Sequence, residues 1–184
     1  MKKLIYHSLP GVKSAEFLGH LREKAEEVYV TSSDISKDLQ IAGNLAEEEQ
    51  ESLVIAFPDS IALADTDEAV NKILTSSFLQ IQKFVQVRMK KRFGQILCLV
   101  NSGANGLLYE DGIDSAFLAA QGGLSGLLKT SSKEYSKRGI ICNVLYIDWS
   151  SVPLQEVAFR VNSLLTENNN IRGQVFALDG GKWL

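Results

Sequence analysis

Lys90-Lys91-Arg92-Phe93-Gly94-Gln95-Ile96-Leu97-Cys98-Leu99-Val100 is the stretch on which the fold turns. Cations in a last helical turn complement the negative end of the helix dipole, and a glycine just beyond them reads as the helix stop. Residues 95–100 then run apolar without alternation, the pattern of a strand covered on both faces. Working backwards, residues 67–92 carry one apolar stripe at Val70, Leu74, Phe78, Ile81 and Val85, widened by Ile73 and Phe84, which predicts a long helix. Working forwards, residues 101–112 are a Gly- and Asn-rich loop, 114–137 a second long helix stopped by Gly139, and 140–147 another apolar strand.

The outer segments repeat the scheme. Residues 4–7 are a short apolar run, 14–27 have helical spacing, 28–31 are β-branched and aromatic, and 53–57 form a strand ended by Pro58. Residues 32–52 are polar, a loop plus a short acidic helix around Glu47 to Glu51. A helix over 153–167 and a strand over 175–178 precede Asp179-Gly180-Gly181. Six apolar strands separated by helices predict a single-domain, doubly wound, Rossmann-like α/β fold over residues 1–184, with a parallel sheet and helices on both faces.

Composition narrows the function. With 184 residues, a charge of -3, 45% hydrophobic and 22% charged residues, the chain has the balance of one globular domain. Mild acidity argues against a nucleic-acid binder. No run of 18 apolar residues predicts a membrane span, and Met-Lys-Lys-Leu-Ile-Tyr-His lacks a signal-peptide core, so a cytoplasmic protein is expected. Cys98 and Cys142 make no disulfide framework, and no Cys/His cluster has zinc spacing.

Four motifs carry a resemblance. Arg92-Phe93-Gly94-Gln95-Ile96-Leu97 is similar to a helix end and strand of the short-chain dehydrogenase/reductases. Phe117-Leu118-Ala119-Ala120-Gln121-Gly122-Gly123-Leu124 falls where that family has its Tyr-x-x-x-Lys helix. Arg138-Gly139-Ile140-Ile141-Cys142-Asn143-Val144 resembles its Arg-Gly-Ile-x-Val-Asn, and Gly173-Gln174-Val175-Phe176-Ala177-Leu178-Asp179-Gly180-Gly181 its C-terminal Gly-Gln-x-x-x-x-Asp-Gly-Gly. The order and spacing match over about two thirds of the chain, most closely to the ketoacyl-carrier-protein reductase branch.

The resemblance also implies which chemistry is missing. It puts the family's catalytic tyrosine on Phe117, its lysine on Gln121, its serine on Ala104 and the asparagine of its proton relay on Ile73. None of the four can donate or relay the proton that reduction requires. The three glycines of the cofactor loop fall on Ser8, Val12 and Ser14, within His7-Ser8-Leu9-Pro10-Gly11-Val12-Lys13-Ser14. Pro10 removes an N–H, and Leu9 and Val12 take space the phosphates need. The family's Asn-Ala-Gly turn is replaced by Ala56-Phe57-Pro58. No room remains for a helix–strand–helix between Val30 and Leu53, or for a substrate-covering loop between Ile147 and Pro153. No cofactor is therefore expected.

Other residues have plainer readings. His7 could be a base at the crevice, but no carboxylate follows to orient it, and a solvated or core-edge histidine is expected. Asp34 could select a ribose, yet Ser-Ser-Asp is common turn chemistry. Tyr109 and Tyr135 could stand in for the lost tyrosine, but neither has a lysine four residues on. Ser102 reads as turn chemistry, and Cys98 and Cys142 as buried thiols. Arg88, Lys90, Lys91 and Arg92 form a basic helix end. The resemblance makes Arg92 and Arg138 candidates for docking an acidic acyl carrier protein.

The expected function is an inactive family member serving as a structural or regulatory subunit, paired with itself or with an intact reductase. The alternatives are an acyl-carrier-protein binding module and an NAD(P)-dependent oxidoreductase with an unrecognised site. Pairing is expected through the two long helices, at Phe78, Ile81, Phe84 and Val85 on the first and Phe117, Leu124 and Leu128 on the second. Gly122, Gly123 and Gly126 would admit a neighbouring helix. The C-terminal helix and last strand would supply a second contact.

Overall fold

The computed structural model describes residues 3–25, 27–31, 51–59, 65–105, 113–166 and 171–181. Its strands are β1 (Lys3–His7), β2 (Glu27–Thr31), β3 (Ser52–Ala56), β4 (Gly94–Asn101), β5 (Ile140–Ile147) and β6 (Val175–Leu178). All pair in parallel, in the order β2-β1-β3-β4-β5-β6. The helices are α1 (Val12–Lys24), α2 (Thr66–Ala69 continuing through Val70–Thr75 and Ser76–Lys91), α3 (Ser115–Tyr135) and α4 (Leu154–Thr166). This is the expected doubly wound α/β sheet, and among the described residues it has six strands. The expected acidic helix, Asp34 and Tyr109 lie outside the described residues, apart from Glu51 just before β3.

Alternate strand residues feed two cores. Ile5, Ile55, Cys98, Val100, Cys142 and Val144 pack under α2 and α3 on one face. Leu4, Tyr6, Val54, Leu97, Leu99 and Leu145 pack under α1 and α4 on the other, with Phe17 and Trp149 meeting edge to face, ring centroids 5.7 Å apart. Burying each large apolar side chain is worth about 1.5–3 kcal/mol, so both faces of the sheet are strongly held. Cys98 and Cys142 are buried as expected; burial pushes both thiols up, Cys142 to about 12.

The motifs at the C-terminal end prove to be architectural. Asn143 on β5 donates from Nδ2 to the Ile171 carbonyl at 3.0 Å and accepts from the Gln174 N–H at 3.0 Å. It thereby fixes the turn that feeds β6. Gly139 takes the left-handed conformation (φ 80) that ends the 3-10 turn Ser136–Arg138 after α3, and a Cβ there would lie 1.9 Å from the Arg92 carbonyl oxygen. The ends of α2 and α3 therefore meet backbone to backbone.

Four expectations need correction. Gly94 does not stop α2: Arg92 takes the left-handed cap (φ 53), and Gly94 opens β4. Its lack of a side chain serves packing, since a Cβ would come within 3.1 Å of both Phe84 and Arg88. Arg88 is not part of a free basic end; it is buried and donates from Nε to the Phe93 carbonyl at 2.7 Å.

The third correction concerns helix faces. Residues Val70–Thr75 form a π-helical segment. Downstream of it the buried face runs through Ser76, Ser77, Gln80, Ile81, Phe84, Val85 and Arg88. Val70 and Phe78 point outward, 38% and 44% exposed. The one wide stripe of the sequence is thus two stripes on different faces.

The fourth concerns the expected interface. Ile81, Phe84, Val85, Phe117, Leu124 and Leu128 were expected at a subunit interface, but all six belong to the chain's own core. Only Phe78 of that set stays exposed. The helix glycines are also partly explained within the chain: Gly122 lies against the Ala104 carbonyl and Gly123 against Leu74, while Gly126 faces open space.

Candidate functional site

In a doubly wound sheet a ligand crevice forms beyond the carboxyl ends of the strands, where the strand order reverses. Here that point lies between β1 and β3. His7, Ala56 and Asn101 end the three strands around it.

His7 is wholly buried, not solvated. Its Nδ1 lies 3.0 Å from Thr31 Oγ1 and its Nε2 lies 3.2 Å from Ser76 Oγ. Ser76 gives its own proton to the Lys72 carbonyl in the π-helical segment. That assigns the Nε2 proton to His7, which donates to Ser76 and accepts from Thr31. Phe57 packs edge to face on the ring at 5.9 Å. Burial pulls the histidine down to about 4, so the imidazole is neutral at pH 7. Both nitrogens and the ring face are engaged, which leaves no lone pair for base chemistry.

Gln121 is fully buried beside the β4 end. Its Oε1 accepts the Asn101 N–H at 2.6 Å, and its Nε2 donates to the Phe57 carbonyl at 3.5 Å. It ties the ends of β4 and β3 together. Phe117, one turn earlier on α3, is buried in the core with Ile73, and Ala104 packs at the edge of the same cluster in the turn Ser102–Asn105. The structure therefore gathers Ile73, Ala104, Phe117 and Gln121 around one region. Ser102 Oγ is buried there without a partner among the described residues. Tyr135 closes α3 at the far edge of the sheet, away from this crevice.

The start of α1 holds an arrangement that sequence reading missed. Gly11 precedes the helix and has no side chain to cap it. Asp59, beyond β3, reaches over instead: its carboxylate accepts from Lys13 N at 2.9 Å, Ser14 N at 2.8 Å and Ser14 Oγ at 2.7 Å. Ser8 and Ser14 are buried, while Val12 is 82% exposed. The one sequence signal was an acid directly after Pro58, and nothing local says what it reaches.

Between β5 and α4 the chain makes only a tight turn. Buried Asp148 accepts the backbone N–H groups of Ser150 and Ser151 at 3.0 and 3.1 Å, and Ser151 Oγ donates to it at 2.6 Å. Among the described residues no cluster of three His, Cys, Asp or Glu could hold a metal, and no helix is long and apolar enough to cross a membrane.

No family model matches the chain. Over 125 residues, 66% of its length, it is 34% identical to the 3-oxoacyl-[acyl-carrier-protein] reductase MabA of Mycobacterium avium. The chain belongs to the short-chain dehydrogenase/reductase family. The match spans 41% of the mycobacterial protein's own length. Two dehydrogenase structures superpose on nearly the whole chain. A 4-hydroxyisoleucine dehydrogenase complexed with NADH and succinate gives a TM-score of 0.73 at 17% identity, covering 96% of this chain and 98% of that one. A short-chain dehydrogenase of Leptospira borgpetersenii serovar Hardjo-bovis with bound NAD+ gives 0.76 at 14% identity, covering 98% and 92%.

The short-chain dehydrogenase/reductase fold implies a nicotinamide dinucleotide whose pyrophosphate meets the first helix N-terminus. The residues present do not fit that group. The two N–H groups at the start of α1 already serve Asp59, and a phosphate there would face a carboxylate at contact distance.

Proposed function

We propose that this short-chain dehydrogenase/reductase homologue performs no hydride transfer and acts as a structural or regulatory subunit. The observation that carries the reading is Gln121, whose amide stitches β4 to β3 at the position the family gives its lysine. Phe117 supports it, buried where the family has its tyrosine. A positioned acid and its charged neighbour supply about 10²–10⁴-fold in rate, and neither residue type is offered here.

Pairing uses the outward stripe of α2. Phe78, Leu74 and Thr75 line a shallow apolar groove with Gly123 and Leu127 of α3. A second copy, or an intact reductase presenting the same two helices, fits this surface. Phe78→Asp is expected to give a folded monomer, because Phe78 lies outside the core. Sedimentation at tens of micromolar checks it. A wild-type monomer that recovers no partner from its native host would overturn the pairing. Turnover of a ketoacyl thioester with reduced nicotinamide cofactor would overturn the loss of chemistry.

A second reading, docking of an acyl carrier protein, is favoured by the meeting of the α2 and α3 ends. Arg92 and Arg138 are both exposed beside that seam, at the edge of the sheet opposite the crevice. The Arg92→Glu, Arg138→Glu variant is expected to lose carrier binding while its stability moves by no more than about 0.5 kcal/mol per site. Unchanged binding, measured by calorimetry, leaves the helix-dipole role alone.

A further inference from the structure

The end of α3 and the turn that feeds β6 enclose an open cleft of about 470 Å³, lined by Lys129, Ser132, Lys133, Ser136, Arg172 and Gly173. Three of these are cations. Among the described residues no acid lines the cleft or forms an ion pair with any of the three. Glu134, the acid of α3, is hydrogen-bonded to Tyr135. The chain as a whole carries a charge of -3, so this concentration of positive charge is local.

Arg172 is held in place by its own turn. Asn143 grips that turn on both sides, through the Ile171 carbonyl and the Gln174 N–H. Gln174 Nε2 donates to the Arg172 carbonyl at 3.1 Å, and Arg172 Nη1 donates to the Ser136 carbonyl at 3.0 Å. Gly173 lets the turn seat against α3: its φ is 68, and a Cβ would lie 2.9 Å from the hydroxyl oxygen of buried Ser132. A guanidinium has five N–H donors, so this anchor leaves most of the fork over.

The lysines are placed at a cost. Lys129 and Lys133 stand one turn apart on the same face of α3, where like charges repel and weaken a helix. The helix dipole accounts for Lys133 in the last turn and for the bond from Arg172 to the Ser136 carbonyl. It fades within one turn, and so leaves Lys129 and the rest of the guanidinium unexplained.

We infer that this cleft binds the phosphoryl group of a phosphate monoester. Such a group carries a charge of about -1.5 to -2 at pH 7 and three strong acceptor oxygens. A carboxylate brings one charge and two oxygens, fewer than two ammonium groups, a guanidinium fork and two serines can serve. Neither Arg92 nor Arg138 lines the cleft, so the subunit and carrier-protein readings can each fail while this holds.

Titration calorimetry at pH 7, with chloride at matched ionic strength, tests it with two probes: glycerol phosphate and a glycine-flanked phosphoserine peptide. Saturable binding of at least one is expected, and binding of neither overturns the proposal. Tighter binding of the peptide assigns the cleft to a protein-borne phosphoryl group, and tighter binding of the ester to a small molecule; either upholds it. Lys129→Gln and Arg172→Gln, both at exposed positions, are each expected to weaken binding by roughly three- to ten-fold while the fold keeps its stability. Lys137→Gln removes an exposed charge just outside the cleft and is expected to change affinity by less than about two-fold. Equal losses in all three variants would mean general attraction to a positive surface and would overturn the site. Geometry gives a separate arm, because Gly173→Ala moves the turn without removing a charge and should also weaken binding. Full affinity in that variant would overturn the placing of Arg172 by its turn, and the built cleft with it.

Discussion

Gln121→Lys, which returns a lysine to the helix position where the short-chain dehydrogenase/reductases carry theirs, is expected to unfold the protein rather than arm it. The amide accepts the Asn101 N–H at 2.6 Å and donates to the Phe57 carbonyl. An ammonium can donate but cannot accept, so the Asn101 N–H is left buried and unpaired at about 1–3 kcal/mol. Placing a charge where Gln121 is fully buried adds several kcal/mol more, so a total near 5 kcal/mol is expected. That is comparable with the whole stability of many domains. Urea unfolding measures it. Gln121→Met, of similar volume, isolates the lost hydrogen bonds and should cost about 2 kcal/mol. A Gln121→Lys protein as stable as wild type would show that the crevice is open enough to solvate the charge.

Acid is expected to weaken the fold through His7. The imidazole titrates near 4 in the folded chain and near its ordinary 6.5 when unfolded. The unfolded chain therefore binds one proton more across that window. Stability is full above pH 6.5 and falls as the pH drops, by up to about 1.4 kcal/mol per pH unit, reaching about 3 kcal/mol by pH 4. His7→Gln keeps a donor for Ser76 and has no proton to take up. It should be less stable than wild type at pH 7, and the gap should shrink by about 3 kcal/mol at pH 4. Parallel curves for the two proteins would place the proton elsewhere.

Much of the fold could be read from the sequence because its determinants are local. Residues 140–147 and 175–178 were legible to the residue, since each is a mainly apolar run between turn residues, interrupted only by Asn143. Gly139 announced itself as a stop because glycine takes a left-handed φ without strain. Helix faces were less legible. Spacing alone put Val70, Leu74, Phe78, Ile81 and Val85 on one stripe, but the π-helical turn at Val70–Thr75 changes the angle between residues and splits them. Burial of three of the six supposed interface residues, Ile81, Phe84 and Val85, follows from that.

The crevice was legible by what it lacks and illegible by what it has. The substitutions at Phe117 and Gln121 stand at fixed spacing within one helix, so sequence could find them. The Gln121 bonds span 20 and 64 positions, and His7 meets Ser76 across 69. Only the assembled sheet brings such pairs together. Asp59 is the sharpest case, because an acid after a proline looks like any loop residue until α1 is seen to start against it.

Its tether has a quantitative consequence. A group held on the same chain meets its site at an effective concentration in the millimolar range or above, set by the reach of the connection and not by the surroundings. A dissolved anion must exceed that standing concentration to displace the Asp59 carboxylate, whatever its intrinsic affinity for the α1 amides. Changes in small-anion levels therefore leave the start of α1 as it is, and its geometry becomes a constant of the fold.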